Sequence, residues 1–388
     1  MSAIAGQSRG EASLLQCLAH GTGQWHQRAT PAYYTLTSSF LEFNQSKYNW
    51  GKCGVEAYTH QWEPTGEGCS ALPTVQHLVA EFQRLYHEKL VLVVGDSTQG
   101  QFFTSLAHTV GFNVSATVHD ATSCPDTRPT VLRNLAKHRQ GNSTQYQRSK
   151  LMADFHDQDV RSPYAHEHDE LLVTERTRLG LGRVKLQFIR NDRLSFASNR
   201  DVVAKSKSAV SWDGWRCSWL AEAKRADLLV LNVGFHWLGL PPLNATLAAL
   251  RKVMKVDAEV IVRGLHAPNC DGEVRTSPRL PADYAAVYSR YNWNRLEPWN
   301  AEFKRSCARE GAHFLDVWPL SDSNGRARFD PPADCVHQCQ PGPIDEWSKL
   351  FLVMAVDLRT RKRCVPRQCH GDLRCILSSW IGRGCVHS

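Results

Sequence analysis

The sequence has no hydrophobic stretch long enough to cross a membrane as a helix. Its longest apolar stretches lie around Leu90–Val94, Leu228–Val233 and Leu350–Val356, far below the roughly 18 residues that a spanning helix requires. Residues 1–11 also lack the charged start and the apolar segment of a secretory signal. We therefore expect no membrane contact from this chain, and its 42% of hydrophobic residues predicts a folded core.

The 13 cysteines include no C-x-x-C pair, although they occur along the whole chain. Cys335 and Cys339 flank His337, and Cys364 and Cys369 follow them. Without the tight spacing, however, a zinc site is the weaker interpretation. So many cysteines favour an oxidising compartment, and their odd number predicts at least one thiol that is unpaired or paired elsewhere. If the protein is lumenal, we expect it to need a signal anchor that this sequence lacks.

Acidic residues are fewer than basic ones, which leaves a formal net charge of +8. Much of the excess lies near the C-terminus, where arginines and lysines are interspersed with four cysteines over 359–388. This tail shows no helix-turn-helix pattern, so nucleic-acid binding is not expected. A solvated surface is the favoured interpretation of the tail, and the net charge suggests attraction to polyanions or acidic glycans rather than a specific fold.

Strands alternate with helices from about residue 90 to residue 357, and no internal repeat is visible. The expected strands are 90–94, 112–118, 184–189, 227–233, 259–263 and 312–317, and the expected helices are 74–85, 101–110, 243–255, 281–310 and 345–357. This order predicts an α/β fold with a mostly parallel sheet between two layers of helices. The polar run His166–Glu170 is interpreted as a solvated loop rather than a metal cluster. Ligands are expected at the carboxyl ends of the strands.

One expected strand ends in a possible nucleophile. The apolar run Leu90–Val94 is followed by Gly95, Asp96 and Ser97 and then by a helix. A hydroxyl at this point of an open α/β sheet is exposed beside helix N-terminal amides. The alternative is that Asp96 or Ser97 only caps the next helix, since the tripeptide is short and common.

Two later sites supply the groups that a serine nucleophile needs. Asp334 and His337 lie three residues apart, so on a tight turn the carboxylate could hold the histidine while the other ring nitrogen faces the serine. Asn232 ends another strand and could donate to an oxyanion beside the Ser97 amide. Each residue alone is more often a turn former or a cap. Their combination predicts acyl transfer through Ser97.

The surrounding motifs match a known family. No G-x-S-x-G pattern surrounds Ser97, and the candidate acid lies only three residues before its histidine, so the pattern is not that of an ordinary α/β-hydrolase. Residues 334–347 are similar to a D-C-x-H-x-C-x-P-G-x-x-D-x-W signature, and 61–73 to a W-x-P, C-x-L-P entry before V-G-D-S. The sequence thus resembles the SGNH or GDSL hydrolase superfamily, and within it the PC-esterase group that includes trichome birefringence-like polysaccharide O-acetyltransferases. It departs from that group at Gly100, where the family has arginine.

The resemblance implies an SGNH-like catalytic domain over 89–361 with a polar insertion at about 120–181. An irregular, disulfide-held lobe over 1–88 would pack on it, and a basic Cys-rich tail would follow over 362–388. It also implies residue roles, which cover the nucleophile, base and acid, the oxyanion donors, and the substrate-binding candidates. Ser97 would be the nucleophile, His337 the base and Asp334 the acid. The oxyanion donors would be Asn232, Gly234 and the Ser97 amide. The substrate-binding candidates are Asp96, His236, Trp237, Arg263 and Trp219, with core packing as the alternative for the tryptophans.

The implied reaction transfers an acetyl group to a carbohydrate hydroxyl through acetyl-Ser97. Its co-substrate would be acetyl-CoA or another acetyl carrier, and no metal or bound cofactor is expected. The implied location is the secretory pathway, in the Golgi lumen or outside the cell. Two alternatives stay open. One is a carbohydrate acetylesterase with the same triad, and the other is a catalytically silent glycan-binding protein of this fold.

Overall fold

The computed structural model describes the core of the chain. The described residues are 23–27, 60–65, 73–111, 168–172, 184–196, 219–235, 240–267, 293–322, 328–330, 334–339 and 342–364. The strands are β1 (Gly23–Gln27), β2 (His60–Pro64), β3 (Leu90–Gly95), β4 (His168–Leu172), β5 (Lys185–Arg190), β6 (Leu228–Leu231), β7 (Glu259–Arg263), β8 (His313–Leu315), β9 (Arg328–Asp330) and β10 (Asp334–Gln338). The helices are α1 (Val75–Leu85), α2 (Ser97–Thr109), α3 (Leu220–Arg225), α4 (Leu243–Arg251), α5 (Trp293–Glu310), α6 (Trp318–Asp322) and α7 (Pro343–Cys364).

Six strands form the central sheet in the order β4-β5-β3-β6-β7-β8. Five of them are parallel, and only β4 runs antiparallel, at the edge beside β5. The predicted α/β architecture with a mostly parallel sheet is therefore confirmed. The continuous apolar sequence of β3 is explained by its central place, because both of its faces are buried.

The two faces of the sheet carry separate hydrophobic cores. Along β3, Val91 and Val93 point into a core shared with α1, α2 and α7. Leu92 and Val94 point into the opposite core, which is shared with α3, α4 and α5. This alternation follows from the period of two in a strand, and it confirms the expected helical layers on both sides.

The N-terminal part contains a small sheet that the sequence did not predict. β1 and β2 pair antiparallel, with Trp25 opposite Trp62, and the two rings meet edge to face at 5.8 Å. The Trp25 indole also donates to the carbonyl of Leu320 at 3.0 Å. Each strand has one buried tryptophan among polar residues, a pattern too short to show a period. Tertiary packing onto α6 thus orders a segment that composition marked as irregular.

Several element boundaries differ from those expected. Helix α2 begins at Ser97 instead of residue 101, α4 ends at Arg251, and α7 continues to Cys364. His168–Leu172 is an edge strand and not a loop, because pairing with β5 orders its backbone despite its charged sequence. The predicted strand 112–118, residues 281–292 of the predicted helix, most of the polar insertion and the tail beyond residue 364 lie outside the described residues. No helix in the described ranges is long and apolar enough to span a bilayer.

Two described cysteines differ in state. Cys307 is free and buried in α5, and burial raises the pKa of its thiol to about 12. It is one unpaired thiol of the kind that the odd cysteine count predicts. Cys339, which is fully buried after β10, is disulfide-bonded.

Candidate active site

The turn between β3 and α2 is built around the Asp96 carboxylate. Its Oδ1 accepts hydrogen bonds from the Thr98 amide at 2.9 Å and the Thr98 hydroxyl at 2.7 Å. It also accepts one from the Gln99 amide at 3.3 Å. Asp96 is therefore the N-cap of α2, as one of the two interpretations expected. The cap places Ser97 as the first residue of the helix and leaves its proposed chemistry open.

Gly95 is required by the close approach of neighbouring groups at this turn. A Cβ atom at Gly95 would lie 2.7 Å from the Gln99 Cβ and 2.9 Å from the Asn232 carbonyl oxygen. Both distances are shorter than real Cβ contacts allow. The turn can therefore bring α2 and the end of β6 together only because residue 95 has no side chain.

Replacing Gly95 with alanine is expected to lower the free energy of unfolding by about 1–3 kcal/mol, because the added methyl group overpacks the turn. Urea denaturation of the purified variant measures this loss. Its proposed acyl transfer should fall as well, since the methyl group must push apart the segments that carry Ser97 and Asn232. Unchanged stability would show that the approach of β3 to β6 has room for a methyl group.

The topology puts Ser97 and Asn232 just beyond the carboxyl ends of two neighbouring parallel strands. From β3 the chain continues to β5 on one side, whereas from β6 it continues to β7 on the other. The carboxyl ends of β3 and β6 therefore flank a switch point, where open α/β sheets bind ligands. The Asn232 amide donates to the Val94 carbonyl at 3.0 Å, which fixes the end of β6 beside the turn Gly95–Ser97.

The Asn232 side chain is fully buried. Its Nδ2 donates to the Arg263 carbonyl at 3.1 Å, and this bond leaves the second hydrogen of the amide for another acceptor. Its Oδ1 has no hydrogen-bond partner among the described residues. The side chain thus spans from β6 to β7 and retains one donor for the proposed oxyanion role.

Arg263 lies inside the protein beneath the turn Gly95–Ser97, and its side chain has no exposed surface. Its Nε donates to the Gln99 Oε1 at 2.7 Å and its Nη2 donates to the Thr98 hydroxyl at 2.9 Å. Its Nη1 donates to the Gly264 carbonyl at 3.2 Å, and the guanidinium lies 4.8 Å from the Trp347 ring centroid. The expected contact between Arg263 and substrate does not fit this burial, because the first turn of α2 uses the guanidinium.

Arg263 and Asp96 form a buried charge pair that Thr98 connects. The Thr98 hydroxyl donates to the Asp96 carboxylate and accepts from the guanidinium. Burial lowers the pKa of Arg263 to about 10, and the negative charge of Asp96 opposes that shift. At neutral pH the guanidinium therefore remains charged. The turn therefore has a positive charge beneath it, since the Arg263 guanidinium is bonded to Thr98, the residue after Ser97.

His337 is half-buried in β10, which pairs with β9 in an irregular register. Asp334 pairs with Asp330 and Gln338 with Arg328, so four steps of β10 oppose two steps of β9. A regular strand would place residues 334 and 337 on opposite faces. The bulge removes that restriction. The expected tight turn is thus a bulged strand.

Hydrogen bonds hold the backbone on both sides of His337. His266 Nε2 contacts the Val336 carbonyl oxygen at 2.6 Å, so this ring nitrogen carries the hydrogen. Gln101 Nε2 donates to the Gln338 carbonyl at 2.9 Å, and its Oε1 accepts from the Gln338 amide at 3.2 Å. The first bond ties β10 to the segment after β7, and the second pair ties it to α2.

The other predicted residues have different positions. Trp219 is fully buried and stacks on Phe196 at 5.1 Å, so it packs in the core and does not form a sugar platform. Gly234 is buried three residues after β6 with φ at 155°, and a Cβ there would lie 2.5 Å from Leu265. His236 and Trp237 lie outside the described residues. No group of three metal-ligating side chains occurs among the residues that the structure describes.

Sequence reasoning missed the interior residues that support the site. Thr98, Gln99 and Gln101 lie within four residues after Ser97, yet their hydrogen-bond partners lie far away in sequence. His266, the fourth of these residues, holds the carbonyl of Val336. The closeness of the first three to Ser97 in the sequence was a signal that they support the site. Only the folded chain shows which groups they bind.

No protein-family model and no curated protein matches the sequence. Among solved structures, the periplasmic domain of a lipopolysaccharide acetyltransferase from Salmonella ser. Paratyphi A aligns with 10% identity over 73% of this chain and 90% of that chain, with a TM-score of 0.33. An extracellular lipase from Streptomyces rimosus aligns with 14% identity over 69% of this chain and 98% of that chain, with a TM-score of 0.27. Similarity of this degree assigns no activity, so the resemblance to trichome birefringence-like enzymes stays a prediction.

Proposed function

We propose that the chain is an acyl-transfer enzyme that moves an acetyl group to a carbohydrate hydroxyl through an ester on Ser97. The observation that carries this proposal is the hydrogen-bonded pair between Gln101 and Gln338, which are 237 residues apart. It joins the helix that begins at Ser97 to the strand that holds His337. The two motifs that the sequence singled out separately are thus neighbours in the fold.

In the first half of the proposed reaction, the Ser97 oxygen attacks the acetyl carbonyl of the donor. His337 takes the hydroxyl proton, and Asp334 holds the histidine ring and stabilises its positive charge. The donor's leaving group departs with the proton from His337. This step breaks the donor's acyl bond and forms the acetyl ester of Ser97.

In the second half, a carbohydrate hydroxyl attacks that ester. His337 removes the hydroxyl proton and returns it to the Ser97 oxygen as the ester bond breaks. Charge on the carbonyl oxygen is stabilised by the remaining Asn232 donor, by the Ser97 amide and by Gly234. An N-cap side chain reaches the second and third amides of a helix, so the Asp96 cap leaves the amide of Ser97 for the oxyanion.

Intact mass spectrometry after incubation with acetyl-CoA or p-nitrophenyl acetate tests the proposal. We expect the protein to gain the mass of one acetyl group, and the gain should be absent from Ser97→Ala. Addition of an unacetylated oligosaccharide should then discharge the adduct and yield an acetylated sugar.

Two other outcomes would replace the proposal. Release of acetate from acetylated oligosaccharides, with no acetylation of any offered sugar, would establish the esterase alternative. The absence of both an adduct and labelling by a serine-directed fluorophosphonate would favour the silent glycan-binding alternative.

A further inference from the structure

We infer that Gln101 is a positioning residue that sets the place of His337 relative to Ser97. This inference rests on the proposed function and adds to it a residue outside the triad. Gln101 and Gln338 are both buried, with 0% and 1% of their surfaces exposed. The Gln101 carboxamide uses both its donor and its acceptor on the Gln338 backbone, so it fixes the strand in two directions.

The positions along α2 show why this contact bears on the nucleophile. Residues 97, 101 and 105 are spaced by four and therefore lie along one side of the helix. Position 101 contacts Gln338, and at position 105 the Ser105 hydroxyl donates to the Asp345 carboxylate at 2.6 Å. Toward its N-terminus this side of the helix thus meets progressively earlier residues of the β10–α7 segment. Position 97 is the next position along this side of the helix, one turn closer to the N-terminus than Gln101.

The neighbouring contacts fix the segment at several points. Ser348 donates to the Ser105 hydroxyl at 2.9 Å, and the Gly342 amide donates to Asp345 at 2.6 Å. His266 holds the carbonyl of Val336 from the other side. Of these contacts, the Gln101 pair alone joins the helix of the nucleophile directly to the residue beside His337.

Loss of this pair should slow the reaction by displacing the base. A displacement of about 1 Å from the reactive geometry can cost about 10²-fold in rate. The Gln101→Met variant keeps the length of the side chain and removes both hydrogen bonds. We expect its rate constant for labelling by a fluorophosphonate to fall about 10- to 100-fold, and its kcat for acetyl transfer to fall likewise with KM within about twofold.

The Gln83→Met variant is the matched control. Gln83 is also buried, and its Nε2 donates to the Val110 carbonyl at 2.9 Å at the far end of α2. Both variants lose a buried carboxamide bond to the backbone, so both should be less stable. Under conditions where each is folded, only Gln101→Met should be labelled slowly. If Gln101→Met does not fold, Gln101→Asn replaces it, because its amide is one methylene too short for the same geometry.

A double variant separates positioning from a general structural effect. If Gln101 acts through His337, adding Gln101→Met to His337→Gln should change the residual labelling rate by less than about twofold. Multiplying effects, or a wild-type labelling rate in folded Gln101→Met, would overturn the inference while leaving the proposed function intact. If the wild-type protein is neither labelled nor acetylated while folded, the proposed function itself fails.

Discussion

Replacing Ser97 with alanine is expected to abolish the covalent adduct and to lower acyl transfer on the order of 10⁴-fold or more. Loss of a serine nucleophile removes the intermediate through which the reaction proceeds, and only binding and oxyanion contacts remain. His337→Gln should reduce the rate similarly, because the serine hydroxyl then has no base. The double variant should be little worse than either single one, since the residues act as a unit.

Fluorophosphonate labelling and acetyl-transfer assays on the purified proteins measure these losses. Ser306→Ala is the matched control, because Ser306 is a buried serine of α5 that bonds Glu302 in its own helix. It should label and react as the wild-type protein does. Persistent labelling in Ser97→Ala would assign the nucleophile to another residue and remove the basis of the proposed function.

Replacing Arg263 with methionine is expected to destabilise the protein by about 3–5 kcal/mol, the usual cost of breaking a buried charge pair. Methionine fills much of the same space but donates nothing to Thr98, Gln99 or Gly264. The Asp96 carboxylate then remains buried without its balancing charge. Arg263→Lys should recover only part of the loss, because a single ammonium cannot reproduce the planar fork of donors.

Urea denaturation measures the effect, with Arg84→Met as the control. Arg84 is half exposed and pairs with Glu81 on the surface of α1, so its loss should change stability little. Adding Asp96→Asn to Arg263→Met should restore part of the stability, since it removes the stranded charge. Equal stability of Arg263→Met and the wild-type protein would show that the guanidinium is not required to balance Asp96.

The sequence by itself determined the architecture, and it proposed which positions are chemically active. The continuous apolar sequence of β3 and the alternation of strands with helices predicted a mostly parallel sheet between helices, because burial on both faces of a strand demands apolar residues at every position. The same logic placed Ser97 and Asn232 at strand ends. The charged edge strand β4 was missed, because its order comes from pairing with β5 and not from its own residues.

Only the tertiary structure decided which side chains support those positions. Arg263 ends β7, where contact with substrate was expected, yet it is wholly buried beneath α2 and not at the surface. In the sequence, nothing distinguishes Gln101 from other helical residues. Only the fold brings it into contact with Gln338, which is 237 residues away. A sequence pattern reports periodicity and local chemistry. A buried hydrogen bond between distant segments depends on where the whole fold places those segments, so a local sequence pattern cannot predict the bond.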